Sequence, residues 1–392
     1  MRGRKFRAWA GMLIVLTMVA AACGDDESET ASGSESSAAE DLGSIWVLLP
    51  DTESSTRWEE DDRRYFGENF EAAGLVDGED FTIVNAEGDA ATQQSQAEQA
   101  IADGASVIVL TSLDTGSGAA IIDQAAEAGV AVLEYDRFNT GGAGGAAYVS
   151  FDNVAVGAAM AEVLEPVIDD LGLDEPRIVM LNGGEEDNNS FLFRQGYAET
   201  VEARVEAGDW TLVADQHVPG WDNQEALTIM EQILVDANNG VDAVFAANDG
   251  LAAATANAVD SAGMDPIPIS GQDATAEGMQ NVLLGRQTMS TYKPIQSEAG
   301  LASAIALALR AGEDILTTEF DFEYALFGIE AATGQPTESA EGDGVVPYFG
   351  LVPIPVTEDN MADTVIADGF RTVEEICTGD VASTTWCTEN AA

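Results

Sequence analysis

From Ser44 onward, short apolar segments alternate with amphipathic ones, and this alternation constrains the fold more than any other feature. The first apolar segments are SIWVLLP (44–50), FTIVNA (81–86), SVIVLT (106–111) and VAVLEYD (130–136). The later ones are RIVMLNG (177–183), TLVADQHV (211–218), AVFAAND (243–249), IPISG (267–271) and TMSTYKP (288–294). The segments between them have helical spacing, which predicts repeated strand–helix–strand units and parallel sheets. So many units exceed one sheet of ordinary size, so we predict an α/β fold of two Rossmann-like lobes with a cleft between them.

Polar side chains occur where nearly every predicted strand ends, which is the edge where open α/β sheets bind ligands. They are Asp51, Arg57, Trp58, Asp136, Arg137, Asp187, Asn188, Asn189, Trp221, Asn248, Asp249, Gln272, Asp273 and Lys293. Any single Asp or Asn among them is also explained as a helix cap, and a single Trp as core. Together, indole faces with carboxylates, amides and cations suit a small polyhydroxylated ligand.

The N-terminus has the order of a secretory leader. Four positive charges precede the apolar run AWAGMLIVLTMVAAA (8–22), which is too short to span a bilayer. The run ends in VAAAC, which resembles a bacterial lipobox, although Ala20 stands where leucine is more usual. The resemblance implies a lipoprotein signal peptide over 1–22 and lipidation of Cys23; ordinary cleavage beside an incidental cysteine is the alternative. The acidic, Ser-rich residues 23–43 predict a disordered linker.

The chain carries 70 acidic and 15 Lys and Arg residues, for a formal charge of −55. Such a field repels nucleic acid and anionic lipid, so a neutral or cationic ligand is favoured. Solubility outside the cell and a salty habitat both explain the acidity. Lys5, in the leader, and Lys293 are the two lysines, so Lys293 would be the one lysine of the processed chain.

Two further cysteines, Cys377 and Cys387, flank a short segment of the C-terminal tail, 377–392. An extracellular compartment permits a disulfide between them, which would hold the tail. No cofactor or metal is expected, because a single histidine leaves little scope for a histidine-based metal site.

Many motifs in order resemble one family over about residues 44–372. They are LLPD, TRWEEDD, NAEGDAATQQSQAEQAIADGASVIVL, EYDR, YVSFDN, NGGEEDNNSFLFRQG, GWDNQEAL, AANDG, ISGQDA, QTMSTYKPI and VIADGF. These are similar to motifs of the periplasmic D-xylose-binding proteins, type I solute-binding proteins of ABC sugar importers. The resemblance implies a three-stranded hinge and one monosaccharide closed between the lobes. We expect the N-terminal lobe to comprise 44–153 plus about 294–345, and the C-terminal lobe 154–293 plus about 346–376.

The resemblance also implies the contacts of the sugar. The residues expected to hydrogen-bond it are Arg57, Asp136, Arg137, Asp187, Asn189, Asn248, Asp273 and Lys293. Trp58 and Trp221 are expected to pack on its faces. A plain salt bridge between the lobes is the alternative role for Lys293. His217 stands where the family often has a further tryptophan, Pro219 precedes Gly220, and the 111–116 loop matches loosely, so the exact sugar stays open.

The function implied is delivery of a monosaccharide, D-xylose first and D-glucose next, to the permease of an ABC importer. The protein would be a monomer held by its lipid on the outer face of the bacterial cytoplasmic membrane. A tethered sugar sensor is an alternative that sequence does not separate from import. A glycoside hydrolase needs two facing carboxylates, which sequence does not exclude. A sugar-responsive transcription regulator is discarded, because a leader and an acidic linker stand where its basic DNA-binding helices would be.

Overall fold

The computed structural model describes residues 42–316, 318, 320, 332–338 and 345–390. The predicted signal peptide, Cys23 and nearly all of the predicted linker lie outside the described residues. Within the described ranges, no helix has the length and apolar character needed to cross a membrane.

Strands and helices alternate along most of the chain from Ser44 to Arg310, as predicted. The exceptions are the strands Ala131–Tyr135 and Ala147–Phe151, which are consecutive, and the helices Asp249–Ser261 and Ala276–Leu283, which are consecutive. The strands are β1 (Ser44–Leu49), β2 (Phe81–Asn85), β3 (Ala105–Leu110), β4 (Ala131–Tyr135), β5 (Ala147–Phe151), β6 (Arg177–Asn182), β7 (Thr211–His217), β8 (Ala243–Ala246), β9 (Ser290–Tyr292), β10 (Ala332–Glu338), β11 (Val345–Leu351) and β12 (Ile354–Val356). The α-helices are α1 (Arg63–Ala72), α2 (Ala90–Ala102), α3 (Thr115–Ala128), α4 (Asn153–Asp170), α5 (Asn188–Ala207), α6 (Asn223–Asp236), α7 (Asp249–Ser261), α8 (Ala276–Leu283), α9 (Ile295–Arg310), α10 (Val373–Ile376) and α11 (Thr385–Asn390). Short π or 3-10 turns are Trp58–Asp62, Pro219–Trp221, Ala362–Ile366 and Gly379–Ser383.

The first sheet has the order β10-β11-β5-β4-β3-β1-β2. Successive side chains of a strand face opposite sides of the sheet. Along β1, Ile45, Val47 and Leu49 therefore enter one apolar core, while Trp46 and Leu48 enter another. Helices cover both faces of this sheet, which explains why β1 is an unbroken apolar run rather than an alternating one.

The second sheet joins β7, β6 and β8 in parallel. The predicted strand 267–271 contributes a single bridge, between Val244 and Ile269. Pro266 and Pro268 lack the N–H groups that a longer ladder would need, which accounts for the short pairing. Beyond it, β9 pairs with β12 in antiparallel register.

The predicted parallel pairing is present in both larger sheets, and two strand pairs, β10–β11 and β9–β12, are antiparallel. β5 follows the Gly-rich residues 141–145, yet it pairs with both β4 and β11. Local composition favoured a loop there, but pairing on both sides makes it an interior strand.

Three chain segments connect the two lobes. They lie between Phe151 and Asn153, between Tyr292 and Ile295, and between Leu351 and Ile354. The third lies later than the predicted boundary near residue 345. Because β11 pairs with β5 from Tyr348 to Leu351, residues 346–351 belong to the first sheet and not to the C-terminal lobe.

The C-terminal tail is joined to the second lobe. A disulfide links Cys377 to Cys387, with 5.6 Å between their Cα atoms. Gln280 Nε2, on α8, donates to Glu375 O at 3.3 Å and to Thr378 Oγ1 at 3.0 Å. The tail therefore packs against α8, and the disulfide closes a short loop at that contact.

Candidate functional site

A cavity lies between the two sheets, at the carboxyl ends of their strands. The space between its lining atoms is about 300 Å³, part of which is open to solvent. Its lining consists of Ser54, Ser55, Arg57, Trp58, Asp136, Arg137, Asp187, Asn189, Phe193, Trp221, Asn248, Gln272, Asp273 and Lys293. All ten residues expected to contact a ligand are in this set, and each is buried.

The turn after β1 brings the first of these residues to the cavity. The Asp51 carboxylate accepts from Ser54 N at 2.6 Å and from Ser54 Oγ at 2.9 Å. Trp58 Nε1 in turn donates to Ser54 Oγ at 3.1 Å. Asp51 itself is not part of the lining, so this strand-end carboxylate shapes the turn that presents Trp58.

Arg57 is held by carboxylates on three sides. Its Nε and Nη2 donate to Asp62 at 3.0 and 3.1 Å, and Nη2 donates to Glu298 at 3.2 Å. Its Nη1 donates to Asp136 at 3.0 Å. Tyr135 donates its hydroxyl to Asp62 at 2.6 Å and fixes that carboxylate. Most of the guanidinium N–H groups are therefore engaged by the protein, and the part of Arg57 open to a ligand is on Nη1.

Lys293 lies between carboxylates of the two lobes. Its Nζ is 3.1 Å from Asp136 Oδ2 in the first lobe and 3.6 Å from Asp273 Oδ1 in the second. The interlobe salt bridge considered from sequence is thus present in the geometry. Because Lys293 also lines the cavity, this pairing and contact with a ligand are compatible roles.

The ionisation of these buried groups follows from their neighbours. Burial alone would raise the pKa of Asp136, but Arg57, Lys293 and Arg137 together hold this pKa well below its usual range. Burial, followed by repulsion from Asp136, raises the pKa of Glu298 well above its usual range. The network therefore keeps a charged carboxylate at Asp136 and favours a proton on Glu298, which reduces the excess of buried negative charge.

Residues of the second lobe reach across the cleft at the start of α5. Asn189 Nδ2 donates to the backbone O of Asp136 at 2.9 Å, and its Oδ1 accepts from Asn153 at 2.9 Å. Asp187 Oδ2 is 3.1 Å from Arg137 Nε. Burial raises the pKa of Asp187, and attraction to Arg137 opposes that rise.

Two of the residues expected to contact a ligand are also helix caps. Asp187 Oδ1 accepts from Asn189 N at 2.9 Å and begins α5. Asn248 Oδ1 accepts from Leu251 N at 2.9 Å and begins α7, while its Nδ2 donates across the cleft to Ser54 O at 3.2 Å. The capping interpretation and the site interpretation thus hold for the same side chains, because the N-termini of these helices face the cavity.

Aromatic rings form two parts of the wall. The Arg57 guanidinium stacks 4.1 Å from the centre of the Trp58 ring, so the protein covers one indole face. Trp221 meets Phe193 edge-on, with 6.2 Å between ring centres. The Trp221 Nε1 donor is buried and has no protein partner in the described structure, so it is a donor that a ligand in the cavity could satisfy.

Three lining residues have left-handed backbone conformations. The φ angle is 60° at Asp136, 56° at Trp221 and 96° at Asp273. Such angles are costly for residues with a Cβ, and they cluster at functional sites. Three such residues in one cavity lining indicate a functional site rather than helix caps that lie together by chance.

Sequence reasoning missed three lining residues, namely Ser54, Ser55 and Phe193. Gln272, which the sequence placed at a strand end, also lines the cavity but was not among the ten expected contacts. Phe193 lies four residues after Asn189 on α5, so helical spacing could have indicated it. Ser55 Oγ donates to Asp273 Oδ2 at 3.2 Å, a contact between lobes that no local pattern predicts.

The departures noted in the sequence fall outside the cavity lining. His217 Nδ1 is 2.8 Å from Gly183 O and 3.2 Å from Ser190 Oγ. Within the 111–116 loop, Ser112 O accepts from Arg137 Nη1 at 3.1 Å. His217 therefore lies behind the wall, whereas the 111–116 loop contacts Arg137, a residue of the wall.

Comparisons with known proteins show the family and the fold. Residues 46–314 match the family described as periplasmic binding protein domain. The chain is 33% identical to the D-xylose-binding periplasmic protein of Escherichia coli (strain K12), over 82% of this chain and 88% of that protein. It is 25% identical to the multiple sugar-binding periplasmic protein SbpA of Azospirillum brasilense, over 87% of this chain and 93% of that protein. A carbohydrate-transporter solute-binding protein from Chloroflexus aurantiacus, solved with D-glucose, superposes with a TM-score of 0.72 at 24% identity, over 84% of this chain and 97% of that one.

The fold is that of a type I periplasmic binding protein, and the protein is a binding protein rather than an enzyme. The chain belongs to the periplasmic binding protein family, in the group that includes the D-xylose-binding proteins.

Proposed function

We propose that this protein is the extracytoplasmic sugar-binding component of an ABC importer and that its cavity takes one monosaccharide, with D-xylose as the first candidate. The observation that carries the proposal is the lining itself. Two indoles, three cationic side chains, three carboxylates and three side-chain amides converge on about 300 Å³. Hydroxyls both donate and accept, so a ligand with several of them can use this mixture.

The charges of the lining favour a neutral ligand. Arg57, Arg137 and Lys293 are each within 4 Å of a carboxylate, and Asp136, Asp187 and Asp273 are all paired in this way. An anion would have to compete with these carboxylates for the cations. A sugar needs no such competition, because its hydroxyls bond to both members of each pair.

D-xylose has the first claim because the relatives with 33% identity over most of their length are D-xylose-binding proteins. D-glucose is the second candidate, since a structural neighbour was solved with it.

Binding would be coupled to closure of the lobes about the three connecting segments. Contacts that cross the cleft beside the cavity support this. Ser55 donates to Asp273, Asn248 to Ser54 O and Asn189 to Asp136 O. The closed form would dock on the permease, which opens the lobes and takes the sugar. A tethered sensor would use the same closure, but it is not favoured by the similarity to transport proteins.

We further propose export by the leader 1–22, lipidation at Cys23, and a monomer held on the outer face of the cytoplasmic membrane. The support is the lipobox-like VAAAC sequence and the acidic segment that follows it. Palmitate labelling of the expressed protein, lost in Cys23→Ser, tests the anchor.

Calorimetric titration of a soluble form that lacks the leader and Cys23, residues 24–392, tests the main proposal. The panel is D-xylose, D-glucose, D-ribose and D-galactose. We expect one-to-one binding of D-xylose, weaker binding of D-glucose and none of D-ribose or D-galactose. Absence of heat with every sugar, from protein that melts cooperatively, would contradict the proposal.

A further inference from the structure

The loop between β6 and α5, residues 183–187, belongs to the second lobe and contacts the first lobe beside the cavity. Glu186 O accepts from Thr115 N at 3.2 Å, and Thr115 is the first residue of α3 in the opposite lobe. The next residue, Asp187, pairs with Arg137 of that lobe at 3.1 Å. This β6–α5 loop therefore makes both a backbone contact and an ionic contact across the cleft.

The Glu186 side chain makes a second kind of contact, within its own lobe. Its Oε1 accepts from Gly220 N at 3.0 Å. Gly220 and Trp221 both have left-handed backbone, with φ of 64° and 56°. That conformation is unfavourable for a tryptophan, so the turn needs contacts that hold it. The Glu186 carboxylate supplies one such contact, to Gly220, the residue directly before Trp221.

Two adjacent glycines make this arrangement sterically feasible. A Cβ at Gly183 would lie 2.0 Å from Cζ2 of Trp221, and one at Gly184 would lie 1.6 Å from Oε1 of Glu186. The Trp221 indole therefore packs on the backbone of Gly183, and the Glu186 carboxylate packs on the backbone of Gly184. Any movement of this loop moves the support of Trp221.

We infer that Glu186 is a positioning residue that couples closure of the lobes to placement of the Trp221 indole in the cavity. Its backbone oxygen binds the first lobe, and its side chain holds the turn that carries Trp221. Glu186 is not in the cavity lining, so it acts through Trp221. This inference rests on the proposed sugar-binding function.

Rates of sugar binding test the inference, with Trp fluorescence in stopped flow and D-xylose as the probe, or D-glucose if the calorimetric panel selects it. Loss of one hydrogen bond in Glu186→Ala should raise the dissociation rate about three- to tenfold. Glu186→Gln keeps an acceptor oxygen and should remain within about twofold of the wild type. Glu185→Ala is the matched control, because its exposed side chain is adjacent in sequence. The melting temperature of sugar-free Glu186→Ala should follow that of the control.

A second variant removes the contact across the cleft. Thr115→Pro deletes the N–H that Glu186 O accepts, at a first helical position where proline is tolerated. Asp114 is already extended, with φ −144° and ψ 155°, as a residue before proline requires. If Glu186 couples the two contacts, Thr115→Pro should accelerate dissociation less in the Glu186→Ala background than in the wild type.

The outcomes separate the two claims. Wild-type protein that binds no sugar would remove the proposed function and this inference with it. Sugar binding by the wild type, with Glu186→Ala kinetically equal to Glu185→Ala, would overturn the inference alone. Strictly additive effects of the two variants would overturn the coupling as well.

Discussion

Lys293 is one of two lysines in the chain, and its surroundings explain what it does. It is buried between Asp136 and Asp273, carboxylates that come from different lobes. Phe151 and Phe193 lie beside its ammonium, each with a ring centre 5.9 Å from Nζ. A compact cation in such a position offsets two carboxylates at once, which the planar guanidinium of arginine would do with different geometry.

The first prediction concerns this lysine. Lys293→Met keeps the length of the side chain and removes its charge. It leaves two buried carboxylates with less compensation, so we expect sugar affinity to fall at least about tenfold and the free energy of unfolding to fall by about 3 kcal/mol. Calorimetric titration and urea unfolding measure the two effects.

Arg286→Met is the control for Lys293→Met. Arg286 pairs with Asp260 at 2.7 Å on the surface of the second lobe, away from the cavity. It should leave sugar affinity unchanged and alter stability by about 1 kcal/mol or less. Wild-type affinity in Lys293→Met would show that the lysine is dispensable for the site.

Among the elements, the segment from Gln272 to Thr275 depends on a buried carboxylate at the start of α7. Asp249 accepts from Ser290 Oγ and Gln287 Nε2, each at 2.7 Å, and from Thr275 N at 2.9 Å. Its own N–H donates to Gln272 O at 3.0 Å. Asp249 therefore holds both ends of the segment that presents Gln272 and Asp273 to the cavity.

Asp249 also gives a prediction for pH. Burial raises the pKa of Asp249 to about 7, above the value near 3.9 of an unfolded chain. The folded state therefore retains this proton between roughly pH 4 and 7, where the unfolded state has lost it. The contribution of this proton to the free energy of unfolding is fully present below about pH 4 and is lost as the pH rises through about 7. The loss is on the order of 4 kcal/mol.

Asp249→Asn cannot titrate, so the stability of the wild type minus that of the variant should decrease from pH 4 to 7. Urea unfolding at steps of half a pH unit measures this difference. Asp260→Asn, on the exposed side of the same helix, should leave that slope unchanged. A difference between wild type and Asp249→Asn that is flat in pH would refute the assignment.

At the scale of the whole molecule, the charges are divided between two environments. The formal charge is −55, yet Arg57, Arg137, Lys293 and Arg371 are buried among carboxylates. Arg371 pairs with Asp61 across the lobes at 2.8 Å. Several of the few cationic side chains are thus buried in ion pairs. The excess of negative charge remains at the surface, where it repels itself.

Screening of this surface charge predicts stabilisation by salt. Between 0.01 and 0.15 M, the Debye length falls from about 30 to 8 Å. We expect the melting temperature to rise mainly over that range of NaCl, with a smaller further rise toward 1 M. Differential scanning calorimetry of the sugar-free protein measures it. A melting temperature independent of NaCl would rule out self-repulsion as a limit on stability and weaken the hypothesis of a salty habitat.

Much of the architecture, and the grouping of the ten candidate residues around one cavity, were predictable from sequence for a physical reason. In parallel sheets the carboxyl ends of strands meet at one edge, so polar residues after separate strands gather there. Resemblance to a family then selected among those residues. The pairing of β5 with β11 and the position of the third connection were not predictable in this way, because both depend on pairing between distant parts of the chain.

The sequence by itself determined the alternating elements, the positions of the strand-end ligand candidates and the acidic surface. The tertiary structure decided which charges share partners. Arg57 bonds to Glu298, 241 residues away, and that glutamate stood out in no local pattern. Ion pairing depends on distances of a few ångström between side chains, and these distances are fixed when the two sheets and their connecting segments pack together.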